Sequence, residues 1–168
     1  MARRITGAVA LWLLLLLPVT GVAGDFDAAS AARSRGDFAA AFAQFQVLAR
    51  AAHPAAQFEL SLLYLHGKGV QPDPRQAMHW LKQSALAGYQ PAQSNLGVAF
   101  SRGRYLPQDA VKAYIWSSIA AHGGDRVAQT NRDVAARNFS PQELAQVKAL
   151  ALACSQRFLE IRSLPACL

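Results

Sequence analysis

Apolar residues recur along the chain at helical rather than strand spacing. Ala56, Leu60, Leu63 and Tyr64 fall at i, i+4, i+7 and i+8, and Ala77, Trp80, Leu81, Ser84 and Ala85 fall at i, i+3, i+4, i+7 and i+8. Each set marks one face of a helix. Between the two runs stands LHGKGVQPDPRQA, residues 65 to 77. A lysine between glycines ahead of a helix invites comparison with a phosphate-binding loop, but such a loop ends in Gly-Lys-Ser/Thr. Here Lys68 is followed by Gly69, so the stretch is predicted to be a turn. Gly67 ends the first helix in the left-handed conformation, where the missing Cβ removes the steric cost. Lys68, Gly69 and Val70 form the turn, with Val70 packed inward. Asp73 caps the second helix, Pro74 takes its first position, and Gln76 is placed to complete a capping box.

The pattern then repeats. A shift of 36 residues aligns Ala56 with Ala92 and Ala128, Gln57 with Gln93 and Gln129, Leu60 with Leu96, and Tyr64 with Phe100. The same shift aligns Gly67 with Gly103, Asp73 with Asp109, Ala77 with Ala113, Trp80 with Trp116, Ala85 with Ala121, and Gly88 with Gly124. Backwards, Asp37, Ala41 and Ala49 match Asp73, Ala77 and Ala85. Each unit reads as two helices whose alanines allow close approach and whose tryptophan fills the space between layers. One such pair cannot bury its apolar face alone, but stacked pairs can. Asp37, Asp73, Asp109 and Asp125 are read as helix caps.

These residues resemble Sel1-like repeats, a subclass of tetratricopeptide-like helix pairs. The resemblance runs through Ala56, Leu60, Tyr64, Gly67, Val70, Asp73, Ala77, Trp80, Ala85 and Gly88, and again through Ala92, Leu96, Gly97, Phe100, Gly103, Asp109, Ala113, Trp116, Ala121 and Gly124. A shorter helix pair precedes these repeats, with Arg35-Gly36-Asp37-Phe38 as its turn, and a partial third repeat follows from Asp125. The resemblance implies an all-α fold, an α/α solenoid whose concave face serves protein interaction. Ser61 stands where the family favours glycine. Arg132 replaces the leucine seen at Leu60 and Leu96, so the last pair is expected to stop repeating and become a cap. Ser140-Pro141-Gln142-Glu143 is a strong helix start, and Leu144, Val147, Ala151, Cys154, Phe158 and Ile161 give the following helix an apolar stripe. That helix is expected to close the open end of the stack, with Gln142, Gln146, Gln156 and Glu160 facing water.

The first residues do not share this pattern. Arg3 and Arg4 precede an apolar run from Ala8 to Leu17, Pro18 breaks it, and Gly21-Val22-Ala23-Gly24 offers small residues. This order is that of a secretory signal peptide, and the run is shorter than the ~20 residues of a membrane span. Residues 1–23 are expected as a signal peptide, 24–138 as the solenoid, and 139–168 as the capping helix and tail. Export, to the periplasm or beyond, leaves no membrane span in the mature chain. It also places Cys154 and Cys167 in an oxidising compartment, where a disulfide between them is expected to pin the tail over the last helix.

Removing Arg3 and Arg4 lowers the formal charge from +7 to +5. The basic residues are scattered, with small groups at Arg33/Arg35 and Arg102/Arg104, so no nucleic-acid footprint is present. The charge fits a solvated surface first and affinity for acidic envelope polymers second. His53, His66, His79 and His122 show no metal-ligand spacing, no nucleophile elbow occurs, and the few carboxylates outside the caps leave little for a glycan-cleaving pair. No cofactor, metal or catalytic residue is assigned.

The first helix of each pair is expected to line the concave surface. Residues off its packing stripe, Gln57, Ser61, Gln93 and Asn95, with Arg102 and Arg104 near the loops, are the candidates for contact with a partner. The function expected is a non-catalytic scaffold or adaptor in the bacterial envelope that holds a protein partner in the groove. Two alternatives stand beside it. One is a penicillin-binding hydrolase like the cysteine-rich Sel1-like proteins, although this chain lacks their cysteine pair in each repeat. The other is a module that binds peptidoglycan or exopolysaccharide without chemistry.

Overall fold

A computed structural model describes residues 25–157. Among these, eight helices and no strand occur: α1 (Phe26–Ser34), α2 (Phe38–Arg50), α3 (Pro54–His66), α4 (Pro74–Leu86), α5 (Gln90–Arg102), α6 (Ala110–His122), α7 (Arg126–Ala136) and α8 (Pro141–Arg157). Each helix from α1 to α6 packs on its successor, and α8 skips α7 to pack on α6. The residues expected to form a signal peptide, together with Phe158, Glu160, Ile161 and Cys167, lie outside the described residues.

The caps follow the sequence. Asp37 Oδ1 accepts the Ala40 N–H at 3.1 Å, Asp109 Oδ1 accepts the Lys112 N–H at 2.9 Å, and Asp125 Oδ1 accepts the Val127 and Ala128 N–H groups. Asp25 likewise caps α1 by accepting the Asp27 N–H at 2.9 Å. Such a carboxylate satisfies donors that the first turn of a helix leaves open.

Gly67 and Gly103 both end their helices with φ near 64°, as the turn reading requires. Asp73 accepts the Arg75 and Gln76 N–H groups, but the reciprocal half of the predicted capping box is not formed by Gln76. The Asp73 N–H donates instead to the Tyr64 carbonyl at 3.0 Å, and the Asp109 N–H donates to the Phe100 carbonyl at the same distance. The cap of each second helix is thereby tied back to the last turn of the first. Ser140 and Glu143 do form a full capping box, through Ser140 N–H to Glu143 Oε2 at 2.8 Å and Glu143 N–H to Ser140 Oγ at 3.3 Å.

Among the described residues two clusters make up most of the core, beside a small one of Ala120, Ala121 and Ala128. Ala29, Ala32, Ala41, Phe45, Leu48, Ala49, Ala56, Leu60 and Leu63 pack α1 to α3 together. A larger cluster joins α4 to α8 around Leu81, Leu96, Phe100, Ile115 and Trp116. Tyr64 touches both. Helix α6 is buried at every residue from Ala113 to Ala121, because α5, α7 and α8 all lie against it. Trp116 is only 1 % exposed, whereas Trp80, at the same repeat phase, is half-buried at the edge of the first cluster. Val147, Ala151 and Cys154 form the buried stripe of α8, while Gln142, Gln146 and Gln156 face water.

Candidate functional site

The candidate contact residues separate into two groups. Gln57 and Gln93 are 6 % and 5 % exposed. Gln57 Nε2 donates to the Ala49 carbonyl and Gln93 Nε2 to the Ala85 carbonyl, each at 3.2 Å. Both side chains therefore bind the end of the preceding helix and do not present themselves to a partner. They recur in the sequence because this bond recurs. Ser61, at 3 % exposure, is likewise turned inward, and its hydroxyl donates to the Phe58 carbonyl at 2.6 Å. Asn95, Arg102 and Arg104 are exposed as expected.

The structure brings Ser61, Asn95, Arg102 and Arg104 around one hollow between α3, α4, α5 and the loop after α5. Leu62, Leu65, Met78, Leu81, Val98 and Ala99 supply its apolar lining, and Tyr105 joins the rim. The empty space measures about 550 Å³, part of it open to solvent. A second hollow lies between α1, the start of α2, and α3, lined by Arg33, Ser34, Phe38, Glu59, Leu62, Leu63, His66 and Lys68. Leu62 lines both, so the two hollows adjoin across α3. Arg33 is ion-paired with Glu59, and the Lys68 ammonium sits 4.8 Å from the Phe38 ring centre.

Arginine and lysine dominate the charge of this face. Arg33, Lys68, Arg102 and Arg104 line the hollows against one carboxylate, Glu59. Neither Arg102 nor Arg104 makes an ion pair among the described residues. An apolar floor with a basic rim suits the side chains and backbone of an extended polypeptide. Among the described residues no three His, Cys, Asp or Glu side chains cluster as a metal site. No described helix is long and apolar enough to cross a membrane.

Sequence reasoning missed the apolar half of the site. Leu62 and Val98 share one repeat phase and are apolar although they stand off the stripe of Ala56, Leu60, Leu63 and Tyr64. A hydrophobic residue kept off the core face in two successive repeats was the available signal. Tyr105 carried a second signal, since it occupies the phase of Gly69 within a turn.

No curated protein matches the sequence. Solved structures that are similar include the following two. One is a protective antigen present in uropathogenic Escherichia coli strains that displays an SLR fold, with a TM-score of 0.70 and 28 % identity, covering 86 % of this chain. The other is a Sel1 repeat protein from Oxalobacter formigenes, with a TM-score of 0.62 and 24 % identity, covering 77 % of this chain. The chain spans 32 % of the length of the first and 55 % of the second. The Sel1 repeat family model matches residues 54–89 and 90–125, which are α3–α4 and α5–α6 with their connections. Repeats of this kind generally mediate protein–protein interaction. With the 36-residue period, the paired helices and both structural likenesses in agreement, the chain is a helical solenoid built on two Sel1 repeats.

Proposed function

We propose that this chain is a non-catalytic scaffold of the bacterial envelope that holds an extended segment of a partner protein along α1, α3 and α5. The observation that carries this reading is the pair of hollows adjoining at Leu62. Together they give a lined path across successive first helices. A bound segment gains affinity from apolar anchors set in such hollows and orientation from the polar rim. The envelope location rests on the basic, apolar and small-residue order of the first 24 residues. Mass spectrometry of the exported protein is expected to find a start near Gly24 or Asp25.

Photo-crosslinking tests the groove itself. A photoreactive side chain at Leu62 or Val98 is expected to capture a partner, while one at Val47, exposed on α2, is not. Equal capture from all three positions, or capture from Val47 alone, would overturn the assignment of this face.

A further inference from the structure

Tyr105 is in a conformation that a tyrosine ordinarily avoids. Its φ is 67°, in the left-handed region, and the residue at the same phase of the preceding repeat, Gly69, has φ 73°. In the earlier turn glycine is also required for space, because a Cβ there would lie 2.1 Å from the Phe38 carbonyl oxygen. The later turn holds a bulky residue in the same backbone shape. A non-glycine residue in this region is strained, and such strain concentrates at ligand sites. The Tyr105 side chain lies at the rim of the α3–α5 hollow and is 42 % exposed. The Arg104 guanidinium sits 4.9 Å from its ring centre. A tyrosine therefore stands where glycine would be easier, on the lip of an apolar hollow, beside two arginines with no carboxylate partner among the described residues.

We infer that this hollow is a specificity subsite for a large apolar side chain of the partner next to an aspartate or glutamate. The inference rests on the groove reading above and narrows it to acidic peptide. The apolar side chain enters between Leu62, Leu65, Leu81 and Val98. The neighbouring carboxylate accepts from Arg102 and Arg104, whose planar groups suit bidentate bonding to a carboxylate. Stacking on the Tyr105 ring holds the Arg104 guanidinium at the mouth of the hollow. The basic lining of the adjoining hollow extends the preference for acidic sequence beyond this one contact. A sugar would find mostly apolar side chains in the floor and few groups to pair its hydroxyls, so the hollow favours peptide.

Selection from a randomised peptide display library against the purified full chain tests both levels. The expected result is a family of sequences in which Leu, Met, Phe or Tyr is adjacent to Asp or Glu. The consensus peptide, labelled and titrated by fluorescence anisotropy, is expected to bind about tenfold more weakly to an Arg102→Ser/Arg104→Ser variant, the scale of a lost charge-assisted contact. The same peptide with Gln or Asn for its acid is expected to bind the native and variant chains within about twofold of each other. Tyr105→Gly is expected to weaken binding while the thermal midpoint holds or rises, a separation that a merely structural tyrosine would not give. Selected peptides that are apolar without an acid, bound equally by native and Arg102→Ser/Arg104→Ser chains, would overturn the subsite and leave the groove reading standing. No enriched peptide, with binding of glycan-strand fragments lost on Tyr105→Gly, would overturn both.

Discussion

Gly69→Ala and Gly36→Ala form a matched pair that isolates one packing contact. Both glycines have positive φ, 73° and 81°, so alanine meets the same backbone penalty of about 1–2 kcal/mol at each. Both substitutions also restrict the unfolded chain alike, by about 0.4–1 kcal/mol, and that effect cancels in the comparison. Their surroundings differ. A Cβ at Gly36 meets nothing within 4 Å, whereas at Gly69 it lies 2.1 Å from the Phe38 oxygen, 2.4 Å from the Phe38 carbonyl carbon and 2.9 Å from the Ala39 nitrogen. Non-bonded carbon contacts are optimal at about 3.5–4.0 Å. The neighbours are backbone at the start of α2, so relief requires the loop and the helix to move apart. Overpacking of this kind costs about 1–3 kcal/mol. Gly36→Ala is therefore expected to cost about 1 kcal/mol, and Gly69→Ala about 2–4 kcal/mol once the same backbone term is included. Urea unfolding followed by helical circular dichroism measures both, and an unchanged slope would show that the unfolding reaction is the same. Equal losses in the two variants would refute the close approach of this loop to α2.

Trp116→Ala is expected to destabilise the fold by about 3–5 kcal/mol, the usual range for emptying a large aromatic site, and Trp80→Ala by less; a Trp116 loss below about 1 kcal/mol in the same urea experiment would place that ring outside the core. The Ser140 backbone N–H, and then its hydroxyl, hold the Glu143 carboxyl below its ordinary value of 4.5. Because the folded value is the lower one, the stabilisation is present above the unfolded glutamate value and is lost as pH falls through the folded one; an NMR titration of Glu143 with its midpoint at or above 4.5 would contradict this. We propose the Cys154–Cys167 disulfide as well, and intact-mass analysis of the exported, denatured chain alkylated without reductant is expected to find no free thiol, two free thiols being the opposing result.

Much of the architecture was legible because its signals are local. Asp37, Asp109 and Asp125 each cap a helix a few residues away, and Gly67 and Gly103 end helices through their own backbone angles. The misread residues depend on distant neighbours. Gln57 and Gln93 looked like repeated groove contacts, but their partners are carbonyls eight residues upstream, on another helix. A polar residue that recurs in every copy of a frame is better suited to holding the frame than to choosing a partner. Trp80 and Trp116 share a phase and differ in burial because the C-terminal core closes over α6, where Ile115 and Ala120 are buried as well. The apolar residues on every side of α6 carried that information, but a reading made along a single stripe did not use it.

Each repeat also closes its own base. In the first, Ser84 Oγ donates to the Pro54 carbonyl at 2.7 Å, and in the second, Gln90 Nε2 donates to the Ala120 carbonyl at 3.0 Å. Positions 54 and 90 are equivalent, as are 84 and 120, so the donor has changed sides between the copies. Residue-by-residue comparison scores two mismatches where a single interaction has been preserved. Selection on such a clasp acts on the pair as a unit, and either member alone is free to drift once the other takes over the bond. Divergent copies of this repeat can therefore keep one geometry while losing the letters that would reveal their kinship. A search for further copies gains reach by asking whether one of two facing positions can donate, not which residue stands at either.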